Sequence, residues 1–235
     1  MSKLVKLPVE KRLLDRQAAD LIRTNILTGQ LLPGRRLPEA QLALELAVSR
    51  GTVRAALAQL AHERLVRQVA FTKWEVSGTS LQDAWEVYTL RSTLEGLAAR
   101  LAARHGSADA RIRLQEVGRS LTSAIREARF KDVTQADFRV HEQIVAMTGH
   151  ARLVDQHRLV LQQVRFHMVH AGFLPRNYRE LAEQHQALIA AVVGGDADQA
   201  EALARSHNVN EIAALEDLLA EQIESVPEAK NQVGS

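Results

Sequence analysis

Apolar residues recur every three or four positions along most of the chain, which is the spacing of one face of an α-helix. In the first eighty residues this pattern predicts helices over 10–28, 39–47 and 49–65, followed by two short β-like runs, VRQV and WEVSG. Gly29 is placed to end the first helix with a left-handed cap, and Ser49 is placed to cap the start of the third. Three helices and a hairpin in this order predict a winged helix-turn-helix.

After Leu81 the helical period continues and no strand is predicted. The stripes predict six helices, or seven if one is kinked, packed as an antiparallel bundle. They cover residues 81–104, 109–130, 133–148, 151–171, 178–193 and 196–221. We therefore expect a mainly α-helical protein with two domains, a winged helix-turn-helix over residues 1–78 and an all-helical domain over residues 79–235.

Composition narrows the class of protein. The chain has no cysteine, which excludes disulfides and thiolate metal sites. It carries no signal-peptide pattern and no apolar run near the ~18 residues of a membrane span, so we expect a soluble cytoplasmic protein. Residues 1–78 hold 13 Lys and Arg against 7 Asp and Glu, whereas residues 79–235 hold 17 against 21. This asymmetry predicts an anionic partner for the first domain, with nucleic acid the leading candidate.

The start of the third helix carries the candidate DNA contacts. A helix-turn-helix places the N-terminal end of its second helix in the major groove. Arginine can bind guanine or phosphate there, hydroxyl groups reach either, and glycine allows a close approach of the backbone. The residues at that end are Ser49, Arg50, Gly51, Thr52 and Arg54. The alternative is an ordinary capped helix on a solvated surface.

Asp137 and His141 pose a separate question, because they lie one helical turn apart on a face that also carries Val133, Val140 and Ile144. A carboxylate and an imidazole that point into a core need partners, since burying an unsatisfied polar group is costly. A metal ion would satisfy both, and so would a simple Asp–His hydrogen bond. These residues alone leave both explanations open.

The run ILTGQLLPGRRLPEAQLALELAVSRGTVRAALAQLAHERLV resembles the DNA-binding domain of the GntR family of bacterial transcription regulators. The shared pattern is Ile, Gly, Pro-Gly, Arg-Leu, Leu-Ala, Ser-Arg, Val-Arg and Ala-Leu, in that order. The resemblance implies that Arg35 or Arg36, together with Arg50 and Arg54, contacts double-stranded operator DNA. The chain departs from the family at Arg64, where the family usually has glycine before Leu-Val.

Three later stretches, YTLRSTLEGLAARLAA, ADFRVHEQIV and EQHQALIAAVVGGDADQAEALARSH, resemble the all-helical effector domain of the FadR-like branch of that family. Many members of this branch bind a divalent metal through one Asp and three His, and the corresponding positions here are Asp137, His141, His185 and His207. The two later histidines also fall on apolar stripes, so all four side chains are expected to point inward. Such a set binds Zn²⁺, with Ni²⁺ or Mn²⁺ as alternatives, and leaves coordination positions open.

The same resemblance places Arg91 in the effector pocket, where a guanidinium can bind a carboxylate through two parallel hydrogen bonds. Arg165 is a second candidate for this contact. The alternative for Arg91 is an ordinary surface ion pair with Glu95, one turn further on. His167 and His170 are rival metal ligands, and we interpret them as lining a pocket or lying at the surface.

These features predict a transcription regulator, acting as a repressor and a homodimer, that binds operator DNA and senses a small carboxylate at a metal. It would not be an enzyme and would not enter a membrane. Two alternatives stay open at this point. One is a metal-dependent enzyme with its active site in the helical bundle. The other is an architectural DNA-binding protein with a structural metal.

Overall fold

The computed structural model describes residues 9–69, 73–171 and 177–208, with the backbone alone for residues 9–13, 130, 131 and 171. The predicted wing tip at 70–72 and the end of the last predicted helix, 209–221, lie outside the described residues. The helices are α1 (Val9–Leu27), α2 (Glu39–Glu45), α3 (Arg50–His62), α4 (Leu81–His105), α5 (Ala108–Arg126), α6 (Phe130–Met147), α7 (Ala151–Ala171) and α8 (Tyr178–Gly194), and residues 197–208 form α9. The strands are β1 (Val66–Val69) and β2 (Lys73–Val76).

The first of two compact units is a winged helix-turn-helix. Both α1 and α2 pack on α3, and α3 leads into the antiparallel hairpin of β1 and β2. Val66 is opposite Val76, and Val69 is opposite Lys73. Along β2 the side chains of Trp74 and Val76 are buried, which is the alternation expected of a strand with one face on a core. The predicted order of helices and hairpin is therefore confirmed.

This first unit also includes the end of α7 from Gln162 onward. Phe166 on that stretch is 3% exposed and belongs to the same apolar cluster as Ile22 and Ile26 of α1. His170, one turn further on, places its Nε2 atom 2.9 Å from the backbone oxygen of Ile26. The core of the winged helix is thus built from two distant stretches of the chain.

Two predicted turn features, and one position where the chain departs from the related family, have clear physical explanations. The Ser49 hydroxyl accepts a hydrogen bond from the backbone N–H of Thr52, which caps the start of α3. Gly29, just beyond α1, has a φ of +77°, the left-handed conformation expected of a helix-ending glycine. Arg64 has a φ of +60° at the position where the related family usually has glycine. A residue with a Cβ atom is strained in this conformation, which explains the family preference.

The second unit is the helical domain, formed by α4, α5, α6, α8, α9 and the part of α7 up to Leu161. Within it α5 packs on α6 and α8, and α4 packs on the same two helices. Ala98, Ala99, Ala102 and Ala103 of α4 are all buried, and their small side chains allow close helix packing. The predicted fold class, a winged helix-turn-helix followed by a helical bundle, is confirmed.

None of the described helices combines the length and the apolar character needed to cross a membrane.

Candidate functional site

The start of α3 presents most of its predicted DNA contacts to solvent. Ser49, Arg50, Gly51 and Arg54 are exposed. The Thr52 side chain is different, because it is 3% exposed and its hydroxyl lies 2.9 Å from that of Ser49. Thr52 is therefore placed to hold the helix start, whereas Arg50 and Arg54 extend from it.

Arg54 is oriented by a carboxylate on the neighbouring helix. Its Nε and Nη2 atoms donate to the two oxygens of Glu39 at 2.9 and 2.7 Å. The indole N–H of Trp74 donates to the same carboxylate at 3.2 Å. The hydrogen bonds from Arg54 hold the pKa of Glu39 below its ordinary value, so this carboxylate is ionised at neutral pH. The exposed guanidinium of Arg54 is thereby fixed before any DNA is bound.

Arg35 and Arg36 are exposed on a segment that runs beside the wing. The backbone oxygen of Arg35 accepts from the N–H of Val76 at 2.9 Å, and Arg36 forms an isolated β-bridge with Glu75. These backbone contacts tie the two arginines to β2. Their contact with DNA stays a prediction, as it does for the residues of α3.

The second candidate site lies inside the helical unit. Asp137 and His141 come from α6, His185 comes from α8 and His207 comes from α9, and all four side chains are buried. Each offers one ligand atom, and these atoms all lie within 4.8 Å of one another. The structure thus brings together the four residues singled out in the sequence.

Distances within this group are those of atoms that can share one ion. His185 Nε2 lies 2.9 Å from Asp137 Oδ1 and 3.2 Å from His141 Nε2, and the latter is 3.9 Å from the same carboxylate oxygen. Ligand atoms about 2.0–2.1 Å from a metal, at bond angles near 90–110°, are themselves roughly 3 Å apart. Small side-chain adjustments would therefore bring these atoms into coordination distance.

Hydrogen bonds on the far side of each imidazole decide which nitrogen faces the cluster. The Nδ1 atom of His141 lies 2.9 Å from Glu95 Oε2, that of His185 lies 2.8 Å from the Leu181 backbone oxygen, and that of His207 lies 2.8 Å from Gln184 Oε1. Each partner is an acceptor, so each Nδ1 carries its proton and donates. This arrangement, with the second nitrogen directed at an ion, is typical of metal-bound histidines.

The arrangement of these four side chains suits a divalent metal ion better than an additional proton on one of the histidines. A second proton on His185, at Nε2, could bond to either Asp137 or His141 but not to both. A divalent ion would be bound by all of them at once. Burial lowers the pKa of His141 and lowers that of His207 well below its ordinary value, so both imidazoles are neutral and able to coordinate. The residues present therefore fit a divalent metal ion.

Both nearby carboxylates remain charged despite burial. Burial alone would raise the pKa of Asp137, but the adjacent His185, His141 and His207 outweigh it and lower that pKa. Burial would likewise raise the pKa of Glu95, and the charge of Arg91, followed by contacts from histidines, lowers it well below its ordinary value. The site is therefore a buried anionic cluster in which the imidazoles of His141 and His207 are neutral.

The sequence leaves two roles open for Arg91, a contact in the effector pocket or a surface ion pair with Glu95. The structure contains the ion pair, but the pair is buried. Arg91 is 1% exposed, and its Nε donates to Glu95 Oε1 at 2.9 Å. Arg165 lies on the part of α7 that belongs to the first unit, and its predicted effector contact stays a prediction. His167 and His170 also belong to that unit, and neither is part of the group of four.

Sequence reasoning missed three residues around the site. The sequence predicts Glu95 only as a surface partner of Arg91 and indicates no role for His157 or Asn208. All three side chains are buried, and both His157 and Asn208 form hydrogen bonds with Glu95. A signal for Glu95 did exist. Every third or fourth residue of α4 is buried in a continuous stripe, which consists of Ala84, Tyr88, Arg91, Glu95, Ala98 and Ala102.

A helix-turn-helix unit with exposed arginines, followed by a helical domain with a buried ligand group, defines a DNA-binding transcription regulator with a separate effector domain. The sequence matches the FCD domain family over residues 86–211 and the gntR family of bacterial regulatory proteins over residues 14–70. The chain belongs to the GntR family of transcription regulators and carries an FCD effector domain.

Individual relatives are also regulators. The chain is 27% identical over 220 residues to the "Putative L-lactate dehydrogenase operon regulatory protein" of Escherichia coli K12, covering 83% of this chain and 84% of that protein. It is 27% identical over 207 residues to the HTH-type transcriptional repressor GlaR of the same organism, covering 85% and 94%. The solved structure of E. coli McbR/YncC has the same fold, with a TM-score of 0.69 and 22% identity over 88% of this chain and 98% of that one. The matched families and relatives are regulators rather than enzymes.

Proposed function

We propose that this protein is a dimeric, metal-dependent repressor whose DNA binding responds to a small carboxylate. The observation that carries the proposal is the group formed by Asp137, His141, His185 and His207, whose four ligand atoms converge inside the helical unit. A regulator has no structural need for three imidazoles around one buried carboxylate, because a plain apolar core would be less costly. A bound metal ion would account for the three imidazoles and the carboxylate at this place.

The ion we propose is Zn²⁺, with Ni²⁺ and Mn²⁺ as alternatives. Three imidazole nitrogens and one carboxylate oxygen suit all three metals. Four protein ligands leave positions open if the ion takes five or six ligands, and when bound it supplies a Lewis-acidic centre for a further oxygen ligand.

Charge balance supports an anionic effector. Among the described residues of the second unit, the buried charged side chains are Arg91, Glu95 and Asp137. They have a surplus of one negative charge, which favours a cation. A divalent ion would reverse this to a surplus of one positive charge, and an uncompensated buried charge is costly. One carboxylate would neutralise the site, so we infer that the effector carries at least one carboxylate.

Arg91 is a candidate second contact for that ligand. Its charge is near enough to His141 and His207 to lower the pKa of both, which supports a position close to the proposed ion. A guanidinium carries five N–H donors in a planar fork, and the one at Nε donates to Glu95. The name of the E. coli relative, "Putative L-lactate dehydrogenase operon regulatory protein", suggests 2-hydroxy acids as the first ligands to test.

The effector proposal predicts ligand stabilisation that depends on metal. Lactate, glucuronate and citrate should be screened by thermal shift with metal-loaded protein and again after EDTA treatment. A true effector at a hundred times its dissociation constant should raise the midpoint by roughly 5–11 °C, and EDTA should abolish the shift. Arg91→Lys, which keeps the charge opposite Glu95 but loses the planar fork, should weaken the shift.

The same ligands should then be added to a DNA-binding assay. An effector should change DNA affinity by about 1–3 kcal/mol, the usual size of coupling between two sites. An architectural DNA-binding protein would bind DNA equally with and without every compound. A ligand that is uncharged, or that binds equally to metal-free protein, would contradict the proposed mechanism.

A dimer is proposed from the outer face of α4 and from the geometry of DNA recognition. Leu90 and Leu97 are 51% and 41% exposed, and Leu94 and Leu101, which are half-buried against the core of the helical unit, lie beside them at helical spacing. A single helix-turn-helix reads few base pairs, so such proteins usually bind two half-sites as a symmetric pair. We propose that the four leucines, here called the α4 leucine face, form part of the contact between two copies.

Leu97→Ala should weaken this dimer. Leu97 is 41% exposed in one copy, so dimerisation can bury a little under half of it, and the change removes it from both copies. At roughly 1.5–3 kcal/mol for a fully buried leucine, the dimer should lose about 1–2.5 kcal/mol, which raises the dissociation constant roughly 5–70-fold. Light scattering over a dilution series measures the effect. Ile112→Ala is a matched control, because Ile112 is 53% exposed on α5, outside the α4 leucine face. A wild-type protein that is monomeric at micromolar concentration would disprove the dimer, and equal effects of both changes would disprove the chosen face.

A further inference from the structure

One buried carboxylate outside the ligand group connects four helices. Glu95 on α4 is 3% exposed, and its Oε1 atom accepts from Arg91 Nε and from His157 Nε2 on α7, both at 2.9 Å. Its Oε2 atom accepts from His141 Nδ1 on α6 and from Asn208 Nδ2 on α9, again at 2.9 Å. A carboxylate offers about four acceptor positions, and here all of them are used.

Glu95 is not itself placed to bind the proposed ion. It contacts the Nδ1 side of His141, whereas the ligand atoms converge at the Nε2 side of the same ring. The imidazole therefore stands between Glu95 and the centre of the cluster. Any effect of Glu95 on the ion has to pass through His141.

We propose that Glu95 is the positioning residue of the metal centre, which fixes the proton of His141 on Nδ1 and directs the Nε2 lone pair to the ion. The proposal rests on the metal site inferred above. Arg91, His157 and Asn208 in turn hold Glu95 in place, since each occupies a position that the carboxylate would lose by rotating. Because these partners lie on different helices, the metal is coupled to the packing of α4, α6, α7 and α9.

Glu95→Gln tests this role with a change that preserves size. Whichever way the new amide turns, its NH₂ group faces two of the four donors, so the network cannot be rebuilt. Loss of an outer partner of a metal-bound histidine typically weakens metal affinity about 10–100-fold. We expect a weakening of this size for Zn²⁺, measured on the full-length protein by competition with a chelator of known affinity.

Glu63→Gln is the matched control. Glu63 is 5% exposed in the first unit and accepts from Arg23 Nε and Nη2 at 2.6 and 2.7 Å, so it is also a buried carboxylate paired with arginine. This variant should lose thermal stability like Glu95→Gln but keep the wild-type zinc affinity. An equal loss of zinc affinity in both variants would mean that general destabilisation, and not positioning, is measured.

Glu95→Asp decides the question if Glu95→Gln does not fold. Aspartate keeps the negative charge opposite Arg91 but is one methylene shorter and cannot reach all four donors at once. Weaker zinc binding by a folded Glu95→Asp variant supports positioning, and wild-type affinity in this variant or in a folded Glu95→Gln variant overturns it. If the wild-type protein itself takes up no zinc, nickel or manganese, the metal site has failed, which is a different result.

Discussion

Replacing His141 with alanine should remove the metal from the protein. His141 supplies the ligand atom that lies 3.2 Å from His185 Nε2 and 3.9 Å from Asp137 Oδ1, so its loss opens one side of the cluster. It also removes the ring through which Glu95 acts. The affinity should fall by more than the about 10–100-fold typical of an outer partner, because a direct ligand is lost.

Elemental analysis measures this prediction directly. Wild-type protein purified without a histidine tag and without chelator should contain about one equivalent of metal per chain, and the His141→Ala variant should contain almost none. His105→Ala is the control, because His105 is exposed at the end of α4. A metal content of His141→Ala equal to that of wild type would refute the assignment of this ligand, provided that circular dichroism finds both proteins folded.

Removing both arginines at the start of α3 should nearly abolish specific DNA binding. Arg50 and Arg54 are exposed one helical turn apart at the end of the helix that a helix-turn-helix inserts into the major groove. Each should contribute about 1–3 kcal/mol if it contacts a base, so the double Arg50→Ala/Arg54→Ala variant should lose roughly 2–6 kcal/mol. In the protein without DNA, Glu39 already holds the Arg54 side chain in place. This limits the conformational entropy that Arg54 loses when DNA binds.

Fluorescence anisotropy with a duplex selected from a random library by the wild-type protein measures this loss. The salt dependence separates two kinds of contact, because losing one phosphate contact lowers the slope of log affinity against log salt by about one. Arg113→Ala on α5 removes an exposed charge in the other unit and should leave the affinity nearly unchanged. Unchanged affinity in the double variant would show that α3 is not the helix that reads DNA.

Much of the fold could be predicted because the relevant information is local. The helices follow from apolar stripes, the start of α3 follows from the Ser49 cap, and the end of α1 follows from Gly29. The four metal-ligand residues could also be predicted from the sequence, for a related reason. His185 lies on the same face as the apolar residues of its helix, so its inward direction could be derived from spacing alone.

The network around Glu95 could not be predicted in this way. Its contacts with His157 and Asn208 join residues 62 and 113 positions apart in the chain. Spacing along one helix tells which face is buried, but it does not tell which side chains of other helices meet that face. The stripe on α4 could have shown that Arg91 and Glu95 are buried, yet their partners depend on how the helices are packed.

The position of Phe166 in the core of the winged helix has a consequence for the evolution of such regulators. If the DNA-binding module were exchanged between proteins as a cassette ending near Ser80, the recipient would have to supply an equivalent aromatic side chain from its own sensor domain. An exchange without it would leave a cavity in the apolar cluster that includes Ile22 and Ile26, and replacing a buried phenylalanine by a small residue costs about 3–5 kcal/mol. Successful recombination between relatives should therefore carry the α7 segment along with the module, so the two parts of the gene should be inherited as a linked pair.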